Sequence, residues 1–146
     1  MPVVEKSVLV PYSAAQMYRL VDDIERYPEF LPWCGGSRVV RESPGAIEAT
    51  VEIRYRGVRQ SFTTRNTLTP PERIAMALKD GPFSELEGSW LFTALGTDAC
   101  KVALHLEYRF GSGLLERLLG PVFHQIASTL VDSFTRRARE LYDERR

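Results

Sequence analysis

The sequence predicts an α+β fold in which a curved antiparallel sheet of about seven strands grips a long C-terminal helix, with two short helices after the first strand. Three observations carry this. Apolar residues alternate with a period of two across most of residues 34–110. Helical spacing appears on either side of that region. The final helical stretch has a single apolar stripe that needs a surface to lie on.

Val3–Val10 is rich in β-branched residues and stops at Pro11, as a first strand would. Ser13 sits where an N-cap belongs, and Met17, Leu20, Val21 and Ile24 recur at helical spacing, predicting a helix over 13–22. A second short helix near 24–30 is kept short by Pro28 and Pro32. Gly35-Gly36 reads as a turn before a strand near 38–43. In 47–55 every odd position is apolar and every even one polar, so this strand has a dry face and a wet one. Arg56-Gly57 turns the chain into 58–68, and further strands fall at 73–80, 83–94 and 99–110. From Leu115 to Leu141 the stripe Leu115, Leu118, Leu119, Val122, Phe123, Ile126, Leu130, Phe134, Ala138, Leu141 marks one long helix, which Pro121 should kink or restart.

With 146 residues the chain is sized for one domain with a single core. Nineteen basic residues balance nineteen acidic ones, so no whole-molecule field draws it to nucleic acid or anionic lipid. Sixteen of the cations are arginines, which pair with carboxylates and phosphates through a planar fork. Cys34 and Cys100 are the only cysteines, too few for a disulfide-dense scaffold or a four-cysteine metal site. Charge at Glu5 and Lys6 argues against a signal peptide, and no apolar run reaches the ~20 residues of a membrane span. The expectation is a cytoplasmic, reduced domain with no transmembrane segment.

The second strand of the 47–68 hairpin holds the first hint of function. Val58, Gln60, Phe62, Thr64, Asn66 and Leu68 share one face, while Arg59, Ser61, Thr63, Arg65 and Thr67 form a wholly polar outer face. Amides and hydroxyls on an inner face are costly unless partnered, and a ligand in a hollow can partner them. Met76, Trp90, Phe92, Leu106, Tyr108 and Phe110 fall on the same side of their strands, and Ile126, Leu130 and Phe134 face them from the helix. Apolar ligand sites are concave, aromatic and sparsely polar. An aromatic stripe at strand spacing is also what an ordinary core looks like, so periodicity by itself does not reach a ligand.

Catalytic and metal-binding patterns are missing. His105 sits on the outer face of its strand and His124 on the flank of the long helix, with no nucleophile elbow for either to serve. No C-x-x-C or H-E-x-x-H spacing occurs. Asp22, Asp23 and Glu25 read as a solvated helix end, and Cys34 as a buried structural thiol. Arg54, Arg56 and Arg59 cluster at a hairpin tip with no acid among them, which suits either a charge-protected β-edge or contact with phosphate on RNA or lipid.

Several segments together resemble a known family: Leu9-Val10-Pro11-Tyr12-Ser13-Ala14 with Met17-Tyr18, Tyr27-Pro28-Glu29-Phe30-Leu31-Pro32-Trp33-Cys34, Phe62-Thr63-Thr64-Arg65-Asn66, Asp80-Gly81-Pro82-Phe83 with Leu86 and Trp90, and Phe134-Thr135-Arg136-Arg137-Ala138. In order and over nearly the whole chain they are similar to the START-like coenzyme Q-binding family, most of all to its bacterial ribosome-associating toxin members. The resemblance implies a helix-grip fold with a tunnel for a hydrophobic ligand and no required cofactor. It also implies one of three roles: ubiquinone or other prenyl-lipid binding in support of respiration, binding of the large ribosomal subunit that blocks subunit joining, or polyketide cyclisation. On the first, Trp33, Gln60, Phe62, Thr64, Asn66, Met76, Trp90, Phe92, Leu106, Tyr108, Ile126, Leu130 and Phe134 are the candidate ligand-binding residues, with Trp33 in a lid and peripheral contact with the inner membrane. On the second, Arg54, Arg56 and Arg59 would meet RNA phosphate.

Overall fold

The computed structural model describes residues 2–143. Its elements follow in the order β1 (Val3–Val10), α1 (Ala14–Asp22), a 3₁₀ segment (Ile24–Glu29), β2 (Cys34–Ser43), β3 (Ala46–Tyr55), β4 (Val58–Thr69), β5 (Arg73–Asp80), β6 (Phe83–Ala94), β7 (Cys100–Phe110) and α2 (Gly113–Tyr142). The seven strands form one sheet in the order β1-β7-β6-β5-β4-β3-β2, with every pairing antiparallel. β1 and β2 are therefore the two edges, and the chain crosses from one to the other through α1 and the 3₁₀ segment. The expected α+β architecture is confirmed in element order and strand number.

Local chemistry explains the boundaries. Ser13 Oγ accepts from Gln16 N at 3.1 Å while Gln16 Oε1 accepts from Ser13 N at 2.9 Å, a reciprocal cap that starts α1. Ser112 Oγ does the same service for Leu115 N at the start of α2. Arg56 and Gly57 both take positive φ, 50° and 82°, which is the backbone a two-residue hairpin between right-twisted strands demands.

Two expectations are corrected. Gly35-Gly36 is no turn: both lie within β2, where the register against β3 shifts between Cys34 and Gly36. A Cβ on Gly35 would fall 2.3 Å from Glu52 Oε1, so the glycine leaves room for the Glu52 side chain to cross the bulge. Of the two outcomes expected at Pro121, a kink or a restart, the restart does not occur: α2 runs without interruption from Gly113 to Tyr142. Pro121 and Arg117, whose carbonyl loses its helical donor, are both exposed, so water can serve that carbonyl.

The close backbone contacts of α2 fall on β1, β7 and α1. The helix thus leans on one side of the sheet. Its residues Leu119, Phe123, Ile126, Phe134 and Ala138 are buried as the stripe requires, but Leu118 is 59% exposed and leaves the stripe at its N-terminal end.

On the outer face, His105 Nε2 lies 3.0 Å from Glu107 Oε2 and Nδ1 lies 3.6 Å from Glu5 Oε2, tying β7 to edge strand β1. The hydrogen bond to Glu107, then the nearby Glu5 carboxylate, holds the imidazole pKa above its ordinary value near 6.5. A raised folded-state value means the charged imidazole stabilises the fold at pH below about 6.5, and that this contribution fades as pH rises through the folded value. The urea midpoint of the natural sequence is therefore expected to fall from pH 6 to pH 8 by more than that of His105→Gln, the effect being small at so exposed a site. Equal slopes in the two proteins would contradict it.

Candidate ligand-binding site

Where α2 leans away from β3, β4 and β5, the molecule holds a partly open cavity of about 100 Å³. Strand periodicity builds its walls. Ala49, Val51 and Ile53 come from the dry face of β3, Phe62, Thr64 and Asn66 from β4, Met76 from β5, Leu86 and Trp90 from β6, and Leu104 and Leu106 from β7. Phe123, Ile126, Ala127, Leu130 and Phe134 face them from α2 at helical spacing. Ile24 and Tyr27 from the 3₁₀ segment, with Trp33 just beyond it, close one side. None of these residues carries a charge.

Ten of the thirteen residues singled out from the sequence line this cavity: Trp33, Phe62, Thr64, Asn66, Met76, Trp90, Leu106, Ile126, Leu130 and Phe134. Three stand elsewhere. Gln60 borders a neighbouring space of about 10 Å³ that also touches Phe62 and Phe123. Phe92 faces Tyr18 of α1, ring centroids 5.5 Å apart, and belongs to the core beneath that helix. Tyr108 packs edge-on against Phe123 at 4.7 Å and walls off the far end. Ala49, Val51 and Ile53 were legible in the β3 alternation and Ile24 continues the apolar spacing of α1, whereas Tyr27 lies in a segment with no strand or helix period to mark an inner face.

Thr64 and Asn66 are the cavity's polar corner. They sit mid-sheet, Thr64 between Ala49 and Leu78 and Asn66 between Ile47 and Met76, and both are buried. Thr64 Oγ1 donates to Asn66 Oδ1 at 2.7 Å. Tyr27, although it lines the space, turns its hydroxyl to the Val21 carbonyl, and burial, with the nearby Asp22 next, pushes its pKa far up. The wall therefore holds no side chain that exchanges a proton near neutral pH.

The segment closing the cavity is strapped to α2 by side chains. Arg137 Nη2 reaches Glu29 Oε1 at 2.7 Å, and its guanidinium stands 5.1 Å over the Phe30 ring. Phe134 meets Tyr27, Phe30 and Trp90 edge-on with centroids 5.3–5.4 Å apart.

Outside the cavity, the remaining candidates separate. A larger groove of about 580 Å³ between Pro2, Arg109, Glu116 and His124 is open to solvent and does not enclose a ligand. Cys34 is buried, its thiol pKa raised chiefly by desolvation, as befits a structural role. Asp22 departs from the solvated helix end expected for it: it is half-buried, one carboxylate oxygen has no partner, and burial raises its pKa. At the hairpin tip an acid does sit among the arginines. Glu52 bridges Arg54 at 3.4 Å and Arg59 at 3.3 Å, while Arg56 lies 5.1 Å over Tyr55. Three guanidinium groups against one carboxylate still leave this tip basic. Among the described residues no group of His, Cys, Asp and Glu could hold a metal ion.

Because Phe134 joins helix, lid segment and sheet, Phe134→Ala is expected to lower stability by about 3–5 kcal/mol, read as a lower urea midpoint with an unchanged denaturant slope. A loss under 1 kcal/mol would mean that the lid side of the cavity is not held in this way.

Residues 10–135 match the family model described as polyketide cyclase / dehydrase and lipid transport. The chain is 48% identical over 141 residues to the ribosome association toxin RatA of Vibrio cholerae, covering 97% of this chain and 98% of that one. It is 26% identical over 141 residues to the mitochondrial coenzyme Q-binding protein COQ10 homolog B of Xenopus laevis, covering 94% of this chain and 58% of that one. A START superfamily protein from Mycobacterium smegmatis superimposes with a TM-score of 0.73 at 22% identity, over 95% and 98% of the two chains. The helix-grip expectation is thereby confirmed, and this chain belongs to the polyketide cyclase / dehydrase and lipid transport family.

Proposed function

We propose that this protein is a non-enzymatic carrier of a hydrophobic small molecule, a polyprenyl quinone or similar neutral lipid, held in the internal cavity without any other cofactor. The observation that carries this reading is a concave apolar space with an uncharged wall and a Thr64–Asn66 polar corner. Its driving force is burial of apolar surface, worth about 25 cal/mol per Å². The coenzyme Q-binding relative supports the same class of ligand. Cyclisation of a polyketide would call for an acid–base pair inside, and the wall supplies none.

Size sets the mechanism. A cavity of about 150 Å³ takes up benzene, so at about 100 Å³ this one accepts a larger, substituted ring only as the wall yields. The half-buried Phe62, Met76 and Leu130 can change rotamer, and the segment from Ile24 to Trp33 can lift where only Arg137 and aromatic edges strap it. On this reading the protein works in the cytoplasm and loads at the inner membrane surface. Mass spectrometry of solvent extracts from protein purified out of its own host is expected to find a prenyl lipid. An empty extract, with tryptophan fluorescence and Tm unmoved by added quinone, would overturn the carrier role.

A second reading concerns the surface, and the close relatives favour it: the chain associates with the large ribosomal subunit and inhibits growth. It rests on 48% identity to a ribosome association toxin across nearly both chains, and on the basic hairpin tip. The two readings use different parts of the molecule and are compatible. Co-sedimentation with large subunits should weaken steeply with salt and be lost in Arg54→Glu/Arg56→Glu/Arg59→Glu. Ribosome profiles that overexpression leaves unchanged would remove the toxin reading.

A further inference from the structure

Asn66 is 3% exposed, lines the cavity, and has its amide oxygen already engaged by the Thr64 hydroxyl. Its Nδ2 has no acceptor among the described residues. A primary amide has two N–H donors, and leaving them unmet in an apolar enclosure costs free energy that a ligand acceptor would recover. Because Thr64 holds the oxygen, the amide turns its N–H group to the cavity, and the acceptors left in the corner are the spare lone pairs of Thr64 Oγ1 and Asn66 Oδ1. No cation lines the wall, so a carboxylate or phosphate there would be buried without a counter-charge.

We infer that the deep end of the ligand is an uncharged carbonyl-type acceptor bound by the Asn66 amide N–H, so that the site prefers the oxidised, carbonyl form of a redox-active ring to its reduced diol. The inference rests on the cavity being the ligand site, as proposed above, and adds its polarity. A carbonyl accepts from Asn66 with no proton of its own to place, whereas a diol must also fit its hydroxyl proton onto the spare lone pairs flanking the Thr64–Asn66 hydrogen bond. Thr64 acts here as a positioning residue: it fixes which end of the amide faces the ligand.

The test is calorimetric titration of the full chain with three probes of one shape: duroquinone, its hydroquinone kept reduced without oxygen, and durene, the hydrocarbon with the same four methyl groups. Duroquinone is fully substituted and does not add to Cys34 or Cys100. All three demand the same widening of the cavity, so that contribution cancels when variants are compared probe by probe. Asn66→Leu is expected to weaken duroquinone about five- to tenfold, the size of one neutral hydrogen bond, and to leave durene within about twofold. Thr64→Val frees the amide to turn over, so the preference for quinone over hydroquinone should shrink or invert while durene binding holds. If Asn66→Leu changes duroquinone and durene alike, or changes neither, the inference is wrong. Should Asn66→Leu fail to give a cooperative melt, the Thr64→Val ratio decides alone, and an unaltered ratio overturns the inference. If none of the probes binds the natural sequence, the cavity is not a ligand site and the carrier reading falls with it.

Discussion

A single helix has to cover the concave side of a seven-stranded sheet, and its cylinder is too narrow to fill it. α2 settles against β1, β7 and α1, where backbone approaches backbone closely. Everything over β3, β4 and β5 must then be filled by side chains reaching across. Phe62, Trp90, Phe123 and Phe134 reach far enough to narrow the space but not to close it, and about 100 Å³ is left. A void of that size forfeits dispersion contacts along its whole lining. On the carrier reading, a bound ligand restores those contacts.

The choice of polar groups inside follows from the same enclosure. Thr64 and Asn66 sit in the central part of the sheet, buried from bulk solvent, where valine and leucine would fit the pleat. Their mutual hydrogen bond removes part of the penalty and leaves the rest exposed to the cavity. Tyr27 shows the alternative solution: its hydroxyl is turned out of the cavity onto a backbone carbonyl, which leaves only its ring as wall. The wall is thereby neutral throughout, and a charged group placed against it would be buried without a counter-charge.

The surface is organised by pairing. Arg65 joins Glu42 and Glu48, and Lys79 also reaches Glu48, so the middle of the outer sheet face is close to neutral. Charge is left over at the β3–β4 tip, where Glu52 has to serve both Arg54 and Arg59. The guanidinium groups there are more than half exposed, so their pairing energy is small and an approaching phosphate can compete for them. A protein with zero net formal charge can in this way still carry one basic feature.

The strands, their faces and the long helix were legible because period two and period 3.6 are properties of consecutive residues. That is why Thr64 and Asn66 could be placed on an inner face, and ten of the proposed residues around one space, from the sequence alone. Tertiary structure decided what no period encodes. Whether Phe92 and Tyr108 border the hollow or the solid core depends on which strands α2 leans against. Gln60 falls away from the cavity because Phe62 and Phe123 stand between. Ile24 and Tyr27 enter it because the 3₁₀ segment is drawn over the opening by Arg137 and Phe134, more than a hundred residues later. Glu52 shares the wet face of β3 with Arg54, but it meets Arg59 only through strand register. Sequence determines the direction in which each side chain points along its own element. The distance to what it meets is set by how the elements are packed, and that distance separates a core from a binding site.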